Sequence, residues 1–276
     1  MKKILIPVDF SKKSEFASKM AARIAKKSNS KIYLLHLIEL PTGIIDMGAG
    51  SNFSIPKSML YLKKVKERIL EFKENFFPEN IEVHYAIKFQ KPYEGILKYA
   101  DKIDVDLIVM GSKGHSDFEE ILIGSNTEKV VRTSKVPVII VKKDNEKFKM
   151  KNLVFASNFK NEDKKEVFKK FLDFADHFKS KIHLVKINTP STFESTREAT
   201  KKINEFIQDF ELPKYSVNIY NDLSIETGIL NFSRDIKADL IALSTSGRSG
   251  LSHLFSKSVT KNLSKKALKP ILTIKI

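Results

Sequence analysis

Three of the chain's ten glycines, Gly111, Gly114 and Gly124, fall within fourteen positions, directly after the apolar run Leu107 to Met110 and directly before Ser125, Asn126 and Thr127. Glycine has no Cβ, so the chain can leave a buried strand in a tight turn with room for a ligand against the backbone. Gly124-Ser125 opens a helical pattern running from Asn126 to Thr133. The unpaired N–H groups of its first turn then point back at the glycine turn, giving an anion site of main chain and one hydroxyl. Near the N-terminus, Ile4-Leu-Ile-Pro-Val is followed by Asp9, a carboxylate at the tip of a strand. By itself an acid shortly before Ser11 reads as a helix cap; taken with the three glycines it belongs to a binding site.

Other chemistries find little support. No Gly-x4-Gly-Lys-Ser/Thr run occurs, so this is not a Walker loop, and fast phosphoryl transfer lacks its lysine, its water-positioning group and its arginine finger. Ser125 has no accompanying base and orienter, which removes it as a nucleophile. There are no cysteines, excluding disulfides, thiolate zinc sites and cysteine nucleophiles. No pair of histidines or carboxylates has ligand spacing, so any Mg²⁺ arrives with a ligand's phosphates. His36 lies mid-strand and reads as a packed histidine, and His115, beside the glycine turn, as a surface one.

The elements that must position these residues alternate. Ile4 to Asp9, Lys31 to Ile38, Ile81 to Ala86, Asp106 to Met110 and Val136 to Val141 read as strands. Helical patterns follow Ser11, run from Leu60 to Phe76 and from Tyr93 to Ile103, and open at Ser125. Pro41 to Pro56 reads as a long loop. Such alternation means right-handed crossovers and a parallel sheet.

Then the pattern repeats. Leu153 to Asn158, Lys181 to Ile187, Tyr215 to Tyr220, Ala238 to Ser244 and Lys269 to Ile274 restate the five strands, and from Gly95 onward the halves align at a constant offset of 133 residues. The chain is a duplicated α/β domain, residues 1–143 and 150–276, joined by a short charged linker that makes an intramolecular pseudo-dimer. The chemistry is not duplicated. Gly111 becomes Ser244, Gly124 becomes Lys257 and Asp9 becomes Asn158; only Gly114 persists, as Gly247.

With 276 residues, 42% hydrophobic and 30% charged, the composition is that of a globular protein without a membrane span, and the N-terminal run is a strand rather than a signal peptide. The absence of cysteine suits a reducing cytoplasm. A net charge of +16 suggests nucleic acid, but of 49 basic residues only six are arginine, and no nucleic-acid motif appears. A solvated lysine-rich surface explains the charge.

The Ile-Pro-Val-Asp opening, the Leu-Leu-His-Leu-Ile strand, Met-Gly-x2-Gly-x9-Gly-Ser and the closing Pro-Val strand resemble the universal stress protein family, in its tandem form. That resemblance implies Rossmann-like (flavodoxin-like) sheets of five parallel strands in the order 3-2-1-4-5, with ATP or a related adenine nucleotide at the carboxyl ends of strands one and four. It implies that Asp9 accepts from ribose or adenine donors, with Pro7 and Val8 beside it among the cofactor-binding residues, and that Leu37 lines the adenine pocket. Met110 and Gly111 would flank the ribose, with Gly114 and His115 at the phosphate turn. Gly124, Ser125 and Asn126 would hold the phosphates, although the family often has a small apolar residue where Asn126 stands. It also implies that the last strands, Val136 to Val141 and Ile271 to Ile274, pair edge to edge. The expected role is a nucleotide-binding stress-response regulator. A nucleotide-independent scaffold or chaperone-like interaction protein and a slow ATPase stand as alternatives, with further homodimer or protein partners open.

Overall fold

The structure is a computed structural model that describes residues 1–39, 55–112, 124–144, 148–160, 163–212, 214–245 and 269–275. The Pro41 to Pro56 loop up to residue 54, together with Gly114, His115, Gly247 and Lys257, lies outside the described residues.

Strand β1 (Lys3–Pro7) carries Ile4, Leu5 and Ile6, all fully buried, because it sits mid-sheet with helices on both faces. On one side it pairs in parallel with β2 (Lys31–Ile38), and on the other with β4 (Leu107–Gly111). β3 (Val83–Phe89) lies outside β2, and β5 (Val138–Val141) outside β4. The second half repeats this with β6 (Asn152–Ala156), β7 (Lys181–Asn188), β8 (Tyr215–Asn221), β9 (Leu240–Thr245) and β10 (Ile271–Lys275). All ten strands form one sheet in the order β3-β2-β1-β4-β5-β10-β9-β6-β7-β8. Each half therefore has the order 3-2-1-4-5.

The halves meet where β5 and β10 pair antiparallel, Ile139 opposite Leu272 and Thr273 opposite Val138, with Thr273 Oγ1 donating to the Val138 carbonyl at 3.1 Å. The expected edge-to-edge pairing thus occurs inside one chain.

Helix α1 (Lys12–Ser28) starts at Ser11, whose Oγ accepts from Ser14 N, and buries Ala17, Met20, Ala21 and Ile24 at helical spacing. Together with α2 (Ile55–Phe76), α5 (Asp163–Asp176) and α6 (Thr196–Ile207) it covers one face, where a single apolar layer runs from Ile69 and Phe72 across the seam to Phe168 and Phe206. Helices α3 (Pro92–Ile103) and α4 (Ser125–Thr133) cover the other face of the first half, and α7 (Ile225–Asp235) covers that of the second.

The duplication reaches backbone details. Phe10, Asn29 and Asp104 are left-handed in the first half, and Phe159, Lys179 and Lys237 are left-handed in the second. Asp106 Oδ2 accepts from Lys2 N and Lys3 N, just as Asp239 Oδ2 accepts from Lys151 N and Asn152 N. Both halves keep a glycine in the helix before strand four. A Cβ on Gly95 would stand 2.6 Å from Leu37 Cδ2, and one on Gly228 would stand 2.5 Å from Ile187 Cγ2.

Candidate functional site

At the carboxyl ends of β1, β2 and β4 lies a cavity of about 450 Å³. It sits between β1 and β4, where strand order reverses, which is where open α/β sheets take their ligands. Pro7, Val8 and Asp9 reach it from β1, Leu37 from β2, Met110 and Gly111 from β4, and Gly124, Ser125 and Asn126 from the start of α4. Gly114 and His115 cannot be placed, since they are outside the described residues.

Sequence reasoning missed part of the lining. Ser11 and Ser14 come from the first turn of α1, Leu35 from β2, Pro92 and Ile96 from α3, and Thr127 from α4. Leu35, Leu37, Pro92 and Ile96 give the cavity an apolar end, while the serines, Asp9 and α4 give it a polar one. Gly95 was the available signal for α3, since it seats that helix against Leu37.

The polar end is assembled by short bonds. Asp9 Oδ1 accepts from Ser11 Oγ at 2.6 Å and from Ser11 N at 3.0 Å, so the helix-capping role coexists with exposure at the cavity. Gly124 is the extended N-cap of α4, and the first intrahelical bond runs from Glu128 N to Gly124 O at 2.9 Å. The amides of Ser125, Asn126 and Thr127 consequently have no acceptor within the helix. Together with the helix dipole they favour an anion here. Gly124 N donates to the Ser112 carbonyl and Thr127 Oγ1 to the Gly111 carbonyl at 3.0 Å, which locks α4 onto the end of β4.

Behind Asp9, His36 Nδ1 donates to the Val8 carbonyl at 2.8 Å and its ring lies 4.7 Å from that of Phe10, over which Arg68 is placed. Burial holds the His36 imidazole below its ordinary range, opposed by the Val8 carbonyl and Asp9. It is a packed histidine, as its place mid-strand suggests. Beyond the seam-side end of β4, Lys13 Nζ donates to the Lys142 carbonyl at 3.0 Å, and burial lowers the Lys142 ammonium to about 8.

Gly111 carries a second constraint besides the cavity. At Gly111 a Cβ would first meet the backbone and Cβ of Lys13 in α1, at 2.7 to 2.9 Å, before anything in the cavity. The absence of a side chain there is required by helix packing, whatever the ligand requires. The matching place in the second half holds Ser244, half-buried at the end of β9.

Among the described residues no cluster of three or more His, Cys, Asp or Glu side chains could hold a metal ion, and no helix is long and apolar enough to cross a membrane.

A duplicated, doubly wound α/β sheet with a phosphate-compatible helix start at its switch point defines the class. The model of the universal stress protein family matches residues 1–142 and 221–275. Universal stress protein MJ0577 of Methanocaldococcus jannaschii is 35% identical over 160 residues, covering 52% of this chain and 96% of that protein. MJ0531 from the same organism is 32% identical over 148 residues, 51% of this chain and 82% of its own. The crystal structure of a universal stress protein from Archaeoglobus fulgidus superposes with a TM-score of 0.71 at 21% identity, covering 99% of this chain and 96% of that one, and so supports the fold over the whole length. The chain belongs to the universal stress protein family.

Proposed function

We propose that residues 1–143 form a module binding ATP or a related adenine nucleotide, that residues 150–276 form a partner module with a degenerate site, and that the chain serves as a cytoplasmic stress-response regulator. The observation that carries this is the convergence, on one cavity at the switch point, of the Asp9 carboxylate with the amides at the start of α4 that have no acceptor within the helix. In this reading the base packs against Leu35, Leu37 and Ile96, the ribose lies by Asp9, Met110 and Gly111, and the phosphates meet Gly124, Ser125 and Asn126. The family resemblance adds Gly114 and His115 to the phosphate-binding residues, and both lie outside the described residues. The chain's net charge of +16 favours the approach of an anion. An Mg²⁺ ion, supplied with the phosphates, would neutralise part of their charge; no residue set described here is its resident cage.

The protein's own residues bind and orient. Ser125 and Thr127 act on structure or phosphate, and the sequence carries no Walker lysine, so a slow ATPase is the most that this reading includes. The test is nucleotide extraction from the purified protein together with calorimetry at millimolar ATP and Mg²⁺. Saturable binding at one site per chain is expected. No bound adenine nucleotide under those conditions overturns the reading, and a partner captured equally with and without nucleotide points to the scaffold instead.

A further inference from the structure

Gly111 sits on β4, yet the atoms that its missing Cβ would strike belong to α1. They are Lys13 Cβ at 2.7 Å, Lys13 C at 2.8 Å and Lys13 O at 2.9 Å. Two of the three are backbone atoms, so no rotamer change relieves the clash, and a close-packed interior transmits it. The same turn of α1 carries Ser11. Its hydroxyl and amide both donate to Asp9 Oδ1, its carbonyl accepts from Glu15 N at 3.0 Å and from Ser14 Oγ at 2.9 Å, and Ser14 N reaches its hydroxyl at 3.3 Å. Asp9, Ser11 and Ser14 all line the cavity.

We propose that Gly111 is a positioning residue: by seating the first turn of α1 on the end of β4 it fixes the Asp9–Ser11 pair over the cavity. The inference rests on the nucleotide reading above and assigns the glycine's smallness to helix seating instead of phosphate room. The second half acts as an internal control. The glycine that serves packing alone is kept in both halves, as Gly95 and Gly228, each meeting a strand side chain. At the Gly111 place the second half has Ser244. The strand-one tip loosens in step, for Lys160 N stands 3.4 Å from Asn158 Oδ1 where Ser11 N stands 3.0 Å from Asp9 Oδ1. Residue and turn change together.

The experiment compares wild type, Gly111→Ala and Gly124→Ala by amide hydrogen exchange without ligand and by calorimetry with ATP and with adenosine. In Gly111→Ala the Ser14 and Glu15 amides should exchange at least roughly tenfold faster, and ATP and adenosine should weaken by the same factor, about tenfold. Gly124→Ala should leave that exchange unchanged and weaken ATP alone. Unchanged exchange in Gly111→Ala, or loss of ATP with adenosine untouched, overturns the inference. Should wild type bind neither ligand, the nucleotide reading falls while the exchange comparison still decides the seating of α1. If Gly111→Ala does not fold, Ser11→Ala decides, losing both ligands alike with recovery in Ser11→Thr; binding equal to wild type in Ser11→Ala overturns the inference.

Discussion

Thr127 donates from Oγ1 to the carbonyl of Gly111 at 3.0 Å, so the first turn of α4 is fastened to the last residue of β4 by a side chain that is 4% exposed. Replacing it by the near-isosteric valine leaves a buried carbonyl short of a partner. Thr127→Val should destabilise by about 1–3 kcal/mol in denaturant unfolding and loosen ATP binding several-fold. An unchanged midpoint together with unchanged affinity would show that the bond carries nothing.

Gly124→Lys places in the first half the residue that the second half has at Lys257. Gly124 is half-buried at the cap of α4, next to the cavity, so a lysine there obstructs the helix start without entering the core. Circular dichroism and melting should stay near wild type while calorimetry with ATP goes flat. Normal binding by this variant would mean that the phosphates lie elsewhere.

At Gly228 two effects oppose each other. Alanine is favoured over glycine within a helix by up to about 1 kcal/mol. Its Cβ, however, would stand 2.5 Å from Ile187 Cγ2, and such overpacking costs about 1–3 kcal/mol. Sterics should win, and Gly228→Ala should melt a few degrees lower by calorimetry. A stabilised variant would show that α7 moves away from β7 at no penalty.

Glu194 Oε1 is paired with the ammonium groups of Lys160 at 2.9 Å and Lys202 at 3.0 Å, while Lys186 stands 3.3 Å from Oε2 as an ion pair. Lys160 first, then Lys202, hold its carboxyl down from the ordinary 4.5 to about 2. A carboxyl depressed in the folded state stabilises above its unfolded value, and that contribution disappears as pH falls from 4.5 toward 2. Urea midpoints measured across that window should fall more steeply in wild type than in Glu194→Gln. Parallel curves would remove Glu194 from the acid response.

The seam offers a further test. Leu272 is fully buried opposite Ile139, where β5 and β10 join the two half-sheets. Leu272→Ala should cost about 2–5 kcal/mol and, if the halves melt as a unit, lower a single transition. Two separated transitions in wild type would show that the seam does not couple them.

Strands, repeat and cavity edge were legible because each rests on local pattern. Ile4 to Ile6 read as buried, the constant offset exposed the duplication, and the glycines marked the switch point. Boundaries slipped where pairing overrides composition. β3 runs on to Phe89 since Lys88 and Phe89 face Leu37 and Ile38, while Ile81 is spent in a turn to the Pro78 carbonyl. The left-handed Phe10 was invisible, as phenylalanine has no preference for that conformation. Ser14, Pro92 and Ile96 come from separate elements that only the fold unites, and Lys13, whose backbone a Cβ at 111 would strike, is a neighbour no periodicity reveals.

Strands β5 and β10 seal each other, and this has an evolutionary corollary. A homodimer built on such a contact must carry two copies of every change, so damage to one pocket is damage to both. Here each half owns a tethered mate whose docking surface is inherited separately from its pocket. Asn158 and Ser244 can therefore differ from Asp9 and Gly111 while the antiparallel join persists, so the two sides of one polypeptide are free to diverge.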